Sequence, residues 1–334
     1  MRIIRGIEKE VGWRGRSCLT IGTFDGVHLG HQAVIKKVVE KASREGLTSV
    51  VMTFDPHPRI SLGKGSSPPL LTCSRHKLSL LEGLGVEVCL LVELEGELAA
   101  MAPSDFVVEI LHGKLRVGGM VIGPRLRFGK GRRGTPGLLK ELGEKLGFGV
   151  EVVKEVSVDG VPVSSTMVRQ SVLRGDLCGA ESLLGRRYSV LGRVVRGRTI
   201  GRKLGYRTAN IKPFDEVVPP AGVYAVEVVV NRERHRGALN LGRRPTFPRE
   251  EVSSLALEAH LLDFDRPIYR REVEVVFHRR LRDEQRFATS EELAGQIALD
   301  IEVVRRYFSE GVGRDCPRGA VPAEREALRG EGIC

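Results

Sequence analysis

Residues 18–31 read CLTIGTFDGVHLGH, in which a short β-branched run leads through a glycine-rich turn into a second apolar segment. The apolar side chains that follow recur at helical spacing, and this helix is predicted to end at Gly46. They are Val34, Ile35, Val38, Val39 and Ala42. A strand, a turn and a helix in this order form the repeating unit of a parallel sheet covered by helices.

The same alternation continues to about residue 156. Further strands are predicted over 47–54, 86–92, 117–122 and 149–156, and further helices over 77–84, 104–111 and 136–146. Because strands and helices alternate, the first half of the chain is predicted to be an α/β domain with a parallel sheet.

The second half has a different pattern, in which no long helix separates the strands. Strands are predicted over 188–195, 222–230, 237–241, 255–262 and 272–277, as is typical of an antiparallel barrel or sandwich. Thr289 and Glu292 then fit a capping box, and the helix that follows has one apolar face to pack on the barrel. We expect domains at 1–182 and 183–310, followed by a mobile tail at 311–334.

The charge balance favours anionic partners. Lysine and arginine number 53 and aspartate and glutamate 42, so the net charge is +11. This excess attracts nucleic acid, nucleotides or an anionic membrane surface, and does not discriminate among them. No apolar run approaches the roughly 18 residues of a membrane span. Glu8 and Glu10 interrupt the segment where a signal peptide needs apolar residues, so we expect a cytoplasmic protein with no membrane partner.

The segment GTFDGVHLGH, residues 22–31, is the first candidate site. His28 and His31 are three residues apart and share one face of the first helical turn. Glycines let the backbone approach a ligand, and a helix N-terminus binds phosphate. Two imidazoles there would bind phosphate oxygens or stabilise a pyrophosphate leaving group. A surface loop with incidental histidines is the alternative, which the surrounding Gly22, Asp25, Gly26 and Gly30 make less favourable.

Two later segments have the same chemistry. In FDPHP, residues 54–58, two prolines fix the loop that carries His57, although a simple rigid turn explains them equally well. In SSTMVR, residues 164–169, a serine caps a helix and Arg169 follows about one turn later, which suits a phosphate. Taken alone, this segment is better explained as an ordinary helix cap with a surface arginine.

In the second half, residues 192–199 read GRVVRGRT and nearly match a P-loop, with Arg198 in the place of lysine. A true P-loop lies between a strand and a helix, whereas strands surround this one, so a phosphate loop of another type is favoured. Its glycines would be Gly197, Gly201 and Gly205. The following Thr208 and Asn210 carry hard oxygen ligands that suit Mg²⁺, or are turn-forming polar residues.

Glu258 lies in the segment LALEAHLLDF, whose apolar residues alternate. Leu257 and Ala259 are expected on one side of the strand, and Glu258 and His260 on the other. A carboxylate in a cleft is a candidate general base, whereas the commoner explanation is a solvated strand face.

The segment RLRFGKGRR, residues 125–133, has arginine or lysine at five of its nine positions, with Phe128 between them. Read alone, it would bind nucleic acid through phosphates and base stacking. A solvated loop or a nucleotide-binding lip explains it too, and charge runs are usually solvated.

In combination, these segments resemble the bacterial bifunctional riboflavin kinase/FMN adenylyltransferases, or FAD synthetases. GTFDGVHLGH is similar to their H-x-G-H nucleotidylyltransferase signature, and FDPHP and SSTMVR to the next two blocks. The kinase domain of the family resembles LLGRRYSVLGRVVRGRTIGRKLGYRTANI and the later segments PPAGVYAV, NLGRRPTF, LEAHLLDF and RLRDEQRF. The resemblance extends from about residue 17 to residue 308.

The resemblance implies a Rossmann-like nucleotidylyltransferase domain followed by a β-barrel kinase domain with a closing helix. The second domain would phosphorylate riboflavin with ATP, and the first would join FMN to AMP from a second ATP, releasing pyrophosphate. Mg²⁺ is the implied cofactor, and ATP, riboflavin and FMN are the implied substrates. Nucleic acid is not an expected partner, and the sequence does not indicate an oligomeric state.

The resemblance also implies roles for single residues. Glu258 would take the proton of the ribityl 5′-hydroxyl, and Thr208 and Asn210 would hold Mg²⁺ and ATP phosphates. His28 and His31 would stabilise charge on the α-phosphate and the departing pyrophosphate. The other implied ATP- or flavin-binding residues are Gly22, Phe24, Asp25, Gly26, Gly30, His57, Ser164, Ser165, Thr166, Arg169, Gly192, Gly197, Gly201, Gly205, Asn240 and Arg282.

Two departures from the family pattern leave alternatives open. In GPRLRFG, residues 123–129, Arg125 stands where a short polar residue is expected and Leu126 replaces an aromatic one. Arg125 would either repel Mg²⁺ or pair with a phosphate. Arg207 replaces the proline that usually precedes Thr208, which would loosen the metal site. A kinase with impaired adenylyltransferase activity remains an alternative, as does another nucleotidylyltransferase of the H-x-G-H type. A nucleic-acid binder leaves the histidine and Glu258 blocks unexplained.

Overall fold

The structure is a computed structural model that describes residues 1–7, 15–58, 69–196, 206–243 and 255–311. The chain forms two compact units, Met1–Ser165 and Thr166–Cys334. The helices over residues 166–184 therefore group with the second unit, and the functional boundary expected after residue 182 stays a prediction.

The first unit contains a parallel sheet of six strands, in the order β1-β4-β3-β2-β5-β6. The strands are β1 Arg2–Arg5, β2 Ser17–Ile21, β3 Thr48–Phe54, β4 Val88–Val92, β5 Val117–Ile122 and β6 Gly149–Val152. The predicted parallel α/β domain is confirmed. The edge strand β1 was not predicted, because its four residues, RIIR, show no alternation of apolar and polar side chains.

Helices connect these strands. They are α1 Leu29–Glu45, α2 Ser74–Gly83, α3 Gly96–Ala100, α4 Pro103–Asp105 and α5 Pro136–Leu146. In place of the helix predicted over 104–111, the short α4 continues directly into a π-helical segment, Phe106–Lys114. A small hairpin follows, with strands β7 Ser157–Val158 and β8 Val161–Pro162. As predicted, α1 ends at Gly46, which takes a left-handed conformation.

The central strand β2 determines where a ligand can bind. Its side chains alternate between two cores, with Leu19 in the larger cluster and Cys18 packed against α1. From β2 the chain moves outward through β3 to β4 and then returns to β5 on the other side of β2. In open parallel sheets, ligands bind outside the carboxyl ends of the strands at such a switch point. The segments that follow Ile21 and Ile122 are therefore the candidate binding region.

The second unit contains a closed barrel of six strands in the order β10-β13-β12-β11-β14-β9, in which every neighbouring pair is antiparallel. The strands are β9 Ser189–Val195, β10 Thr208–Pro213, β11 Gly222–Val230, β12 Glu233–Arg243, β13 Leu255–Leu261 and β14 Glu272–Arg282. Helices α6 Ser165–Arg174 and α7 Leu177–Leu184 precede the barrel. The barrel prediction is confirmed, although β10 was not recognised as a strand.

Helix α8, Ser290–Ser309, closes the barrel region as predicted. Thr289 Oγ1 accepts a hydrogen bond from Glu292 N at 3.2 Å, which is one half of the predicted capping box. Near the end of α8, Val304, Tyr307 and Phe308 are buried against side chains of the barrel. The tail predicted to be mobile falls, from residue 312 onward, outside the described residues.

Candidate active sites

Hydrogen bonds of the Asp25 side chain connect the loop after β2 to residues 71 and 72. The Asp25 carboxylate accepts hydrogen bonds from the backbone N–H groups of Leu71 at 2.9 Å and Thr72 at 3.1 Å. The Thr72 hydroxyl in turn accepts one from Gly26 N at 3.0 Å. Gly26 has φ of +80°, and a Cβ there would lie 2.8 Å from the Leu71 side chain. The loop therefore requires glycine at this position, and Asp25 is buried within its support.

The two histidines of the loop stack on one another. His28 is the N-cap of α1, and its Nδ1 accepts a hydrogen bond from His31 N at 3.3 Å. The ring centroids are 3.6 Å apart, with 17° between the planes. A Cβ at Gly30 would lie 3.2 Å from the His28 ring, so glycine keeps this contact open. The structure thus brings the predicted pair together at the carboxyl end of β2.

His31 is held in its neutral form. Burial, and then the positive charges of His28 and Lys77, hold the pKa of His31 well below its usual range. Within the described residues, its Nδ1 atom is buried and has no hydrogen-bond partner. A buried nitrogen without a partner is costly unless a ligand completes it, so this atom suits a phosphate oxygen or a bound water.

The predicted serine Ser165 lies beside this loop. Ser165 Oγ donates a hydrogen bond to the Asp25 carbonyl oxygen at 2.9 Å, across 140 positions of sequence. The structure thus brings Ser165 to the histidine-bearing loop, and the role of the adjacent Ser164 stays a prediction. Thr166 and Arg169 belong to the second compact unit, and their binding role stays a prediction.

His57 also reaches the region. It lines a cavity of about 70 Å³ at the ends of β2 and β3, together with Thr23, Asp25, Phe54, Asp55, Pro56, Leu70, Thr72, Ser74 and Lys77. His57 is therefore placed near Asp25 and Lys77, and its role in binding substrate phosphate stays a prediction.

Lys77 lies at this site, although the sequence pattern did not identify it as a candidate. Its buried ammonium group donates hydrogen bonds to Thr23 O at 3.2 Å, Thr53 Oγ1 at 3.0 Å and Phe54 O at 3.1 Å. It thereby joins the carboxyl ends of β2 and β3, and burial lowers its pKa. The available signal was its place on the apolar stripe of α2, one and four residues before the buried Leu78 and Leu81.

The block that departs from the family pattern lies at the end of β5. The Arg125 guanidinium is 2.9 Å from the Glu155 carboxylate and 3.5 Å from the Val163 carbonyl oxygen. Leu126 packs against the main core. Phe128 is buried, with its ring 5.9 Å from that of Phe106. Base stacking on Phe128 is therefore excluded, and the proposal of a stacking nucleic-acid site over 125–133 is wrong in that respect.

In the second unit, strand register places the predicted kinase residues side by side. Asn210 on β10 lies directly opposite Glu258 on β13, and Glu258 lies opposite Asn240 on β12. Residues opposite one another in an antiparallel pair point to the same face. Asn210, Glu258 and Asn240 therefore form a polar row across three strands, and Thr208 lies opposite His260 on two of them. Asn210 is buried and Glu258 is half-buried.

Beside this row is a cavity of about 350 Å³. It is lined by Val194, Arg207, Thr208, Ala209, Asn210, Ala259, Leu261, Phe264, Asp265, Arg266, Pro267, Ile268 and Tyr269. Thr208 and Asn210, which carry a hydroxyl and an amide oxygen, are among its lining residues, whereas Glu258 and Asn240 are not. Hard oxygen ligands of this kind fit Mg²⁺, which keeps several waters and binds substrate phosphates.

Arg207, which replaces the usual proline, is one of the residues that line this cavity. Its guanidinium donates a hydrogen bond to the Asp265 carbonyl oxygen at 3.0 Å, and its own carbonyl oxygen lies 2.9 Å from His260 Nδ1. Of these two contacts only the guanidinium bond depends on arginine, because proline has the same carbonyl group, and the loosening expected from the sequence stays a prediction.

Two other predicted binding residues have packing roles. Arg282 donates two hydrogen bonds to the Asp300 carboxylate, at 2.9 and 2.8 Å, and so anchors α8 to β14. A Cβ at Gly192 would lie 2.5 Å from the Ile211 side chain, so glycine permits the close approach of β9 and β10. Their ligand roles stay predictions. Gly197, Gly201 and Gly205 lie outside the described residues.

Among the described residues, no helix is long and apolar enough to span a membrane, and no cluster of three His, Cys, Asp or Glu side chains is placed to hold a metal. The Thr208 and Asn210 ligands discussed above are of other residue types.

Comparison with known proteins identifies the family. Residues 13–167 match the FAD synthetase family, and residues 184–308 match the riboflavin kinase family. The bifunctional riboflavin kinase/FMN adenylyltransferase of Escherichia coli (strain K12) is 39% identical over 310 residues, covering 92% of this chain and 98% of that protein. The enzyme of the same description from Pseudomonas fluorescens is 38% identical over 315 residues, covering 94% and 100%.

A crystal structure described as a macrolide-efflux protein from Streptococcus pneumoniae has a TM-score of 0.80 and 29% identity, covering 91% of this chain and 99% of that one. Its fold is thus shared over nearly the whole chain. The two family matches, together with relatives that are covered over nearly their whole length, show that the chain belongs to the bifunctional riboflavin kinase/FMN adenylyltransferase family.

Proposed function

We propose that this protein phosphorylates riboflavin to FMN with ATP and then adenylylates FMN to FAD, releasing pyrophosphate. Residues 183–310 carry the first reaction and residues 1–182 the second. The observation that carries the proposal is that each half of the chain has a preformed polar site. These sites are the stacked His28 and His31 in one half, and the row of Asn210, Glu258 and Asn240 in the other.

In the kinase reaction, Glu258 is the general base. Its carboxylate accepts the proton of the ribityl 5′-hydroxyl while the hydroxyl oxygen bonds to the γ-phosphorus of ATP and ADP leaves. Asn240 and Asn210 flank the carboxylate on the neighbouring strands, which supports a fixed orientation. Thr208 and Asn210 would hold Mg²⁺, which when bound neutralises phosphate charge.

In the adenylyl transfer, a phosphate oxygen of FMN attacks the α-phosphorus of ATP and pyrophosphate leaves. FMN phosphate is already a nucleophile, so the reaction needs no protein base. Neutral His31 and its stacked neighbour His28 donate hydrogen bonds to the charge that develops on the transferred and departing phosphates. Ser164, Ser165 and Arg169 hold the triphosphate, and His57 holds substrate phosphate.

The second candidate function is a kinase with impaired adenylyl transfer, which would follow from the departure at Leu126, a residue that packs against the main core where the family pattern has an aromatic side chain. An H-x-G-H enzyme for another acceptor is less favoured, because the riboflavin kinase match covers residues 184–308. We further propose that the protein acts in the cytoplasm on these small molecules and has no nucleic-acid partner.

The test is a time course with purified protein, riboflavin, ATP and Mg²⁺, in which riboflavin, FMN and FAD are separated by chromatography. FMN that appears before FAD supports both reactions. FMN without FAD supports the kinase alone, and no product from riboflavin or from supplied FMN contradicts the proposal. Replacing ATP by CTP in the second step separates FAD synthesis from another nucleotidyl transfer.

A further inference from the structure

We propose that Arg125 binds the polyphosphate chain of ATP in the adenylyl-transfer site and exchanges its ion pair with Glu155 for the nucleotide. This inference rests on the proposed adenylyl transfer and concerns a residue that departs from the family pattern.

The position of Arg125 in the sheet is the first argument. It follows the last residue of β5, Ile122, by three positions. Strand β5 is the neighbour of β2 on the side where the strand order reverses. Arg125 therefore emerges at the same edge of the sheet as the loop that carries the two histidines.

The contacts of Val163 give the second argument. Arg125 Nη2 lies 3.5 Å from the Val163 carbonyl oxygen. A Cβ built on Gly30, between the two histidines, would lie 3.9 Å from that same oxygen and 3.2 Å from the His28 ring. The guanidinium thus shares a neighbour with the histidine loop and is within side-chain reach of a ligand bound to it.

The charges around the site give the third argument. His31 is neutral, and Lys77 directs its hydrogen bonds to two carbonyl oxygens and a hydroxyl. The carboxylate of Asp25 accepts hydrogen bonds from backbone N–H groups. A triphosphate carries several negative charges, and Arg125 brings a planar guanidinium suited to bidentate contact with phosphate.

The fourth argument is that the ion pair between Arg125 and Glu155 is weak. The side chains of Arg125 and Glu155 are 63% and 39% exposed. An exposed ion pair contributes little to stability, so a multiply charged phosphate chain competes well for the guanidinium. Within the described residues, Arg125 Nε and Nη1 make no hydrogen bond and remain available as donors.

The experiment compares the wild type with R125N, R125K and E155Q in the intact protein. The KM of ATP is measured in FAD synthesis from supplied FMN, the KM of pyrophosphate in the reverse reaction, and pyrophosphate binding by calorimetric titration. Thermal unfolding of the same samples reports correct folding of the first unit, and their kinase activity reports that of the second. We expect R125N to raise both KM values about tenfold, as on losing one charge-assisted hydrogen bond, and to leave the KM of FMN within about twofold. R125K is expected to restore part of the loss.

E155Q is the matched control, because it removes the ion pair and keeps the guanidinium. We expect its KM of ATP to stay at or below the wild-type value. A rise equal to that of R125N would mean that the ion pair itself is needed, and would overturn the proposal. Unchanged or lower KM values in R125N would also overturn it. If the wild type makes no FAD, the proposed adenylyl transfer fails, and the pyrophosphate titration of wild type against R125N still decides whether Arg125 binds phosphate.

Discussion

Lys77 and Thr23 meet at the carboxyl edge of the parallel sheet, where the Lys77 ammonium group donates a hydrogen bond to the Thr23 carbonyl oxygen at 3.2 Å. The same group also bonds Thr53 and Phe54 at the end of the neighbouring strand. One buried cation therefore fixes the starting points of both the histidine loop and the His57 loop.

We predict that K77M lowers the stability of the first unit by about 1–3 kcal/mol, because buried acceptors lose their donor. FAD synthesis should fall more than FMN synthesis, since the kinase residues lie in the other unit. Thermal unfolding and product time courses measure both effects. K145M is the control, because Lys145 makes an exposed ion pair with Glu141. Equal losses in the two variants would contradict the role of Lys77.

Local patterns in the sequence were sufficient for the fold class. The helical spacing from Val34 to Ala42 and the glycine at 46 predicted α1 because the signals for its face and its end are local. Glu258 was placed on the polar face of its strand for the same reason, and Leu257 and Ala259 are indeed fully buried.

Features that depend on partners far along the chain were not predicted. The segment TANIKP is short and contains the turn-forming residues Asn210 and Pro213, and β10 forms because it pairs with β9 and β13 to close the barrel. Phe128 was grouped with basic neighbours, although the core around Phe106 buries it. The bond from Arg282 to Asp300 likewise depends on how α8 docks, which charge patterning alone does not reveal.

Glu258 gives the sharpest test of the kinase half. E258Q keeps the size of the side chain and removes the base, so we predict a loss of about 10²–10⁴ in the rate of FMN formation. FAD synthesis from supplied FMN should persist, because it uses the other unit. E272Q is a suitable control, since Glu272 forms a largely exposed ion pair with Arg193 on the barrel. FMN formation by E258Q at the wild-type rate would contradict the general-base role.

The bidentate bond between Arg282 and Asp300 should stabilise the docking of α8. Both side chains are mostly buried, and Gln296 adds a third hydrogen bond to the same carboxylate at 3.0 Å. We predict that D300A lowers the free energy of unfolding by about 3 kcal/mol, as is usual when one partner of a buried ion pair is removed. Arg305, which is also on α8, forms an exposed ion pair with Asp263. D263A removes this pair and should lower the free energy of unfolding by less than about 1 kcal/mol. Chemical denaturation curves of both variants measure the difference, and similar values would refute the anchoring role.

His278 predicts how the second unit responds to acid. Burial, and next the nearby charge of Arg187, lower its pKa to about 4, while Glu227, 3.2 Å from Nε2, partly opposes the shift. The charge of Arg234 adds to the lowering, and the rings of Tyr307 and Phe308 cover the imidazole. His278 is therefore neutral in the folded protein over a range of pH in which the unfolded chain binds a proton.

Because the unfolded state binds more protons below its pKa of about 6.5, stability is predicted to fall as the pH is lowered from there towards 4. The full loss from this one group is on the order of 3 kcal/mol. H278L cannot be protonated, so its stability should change less over this interval than that of the wild type, whatever its value at neutral pH. Denaturation midpoints at pH 7, 6, 5 and 4.5 test this, and parallel curves for the two proteins would show that His278 does not set the acid sensitivity.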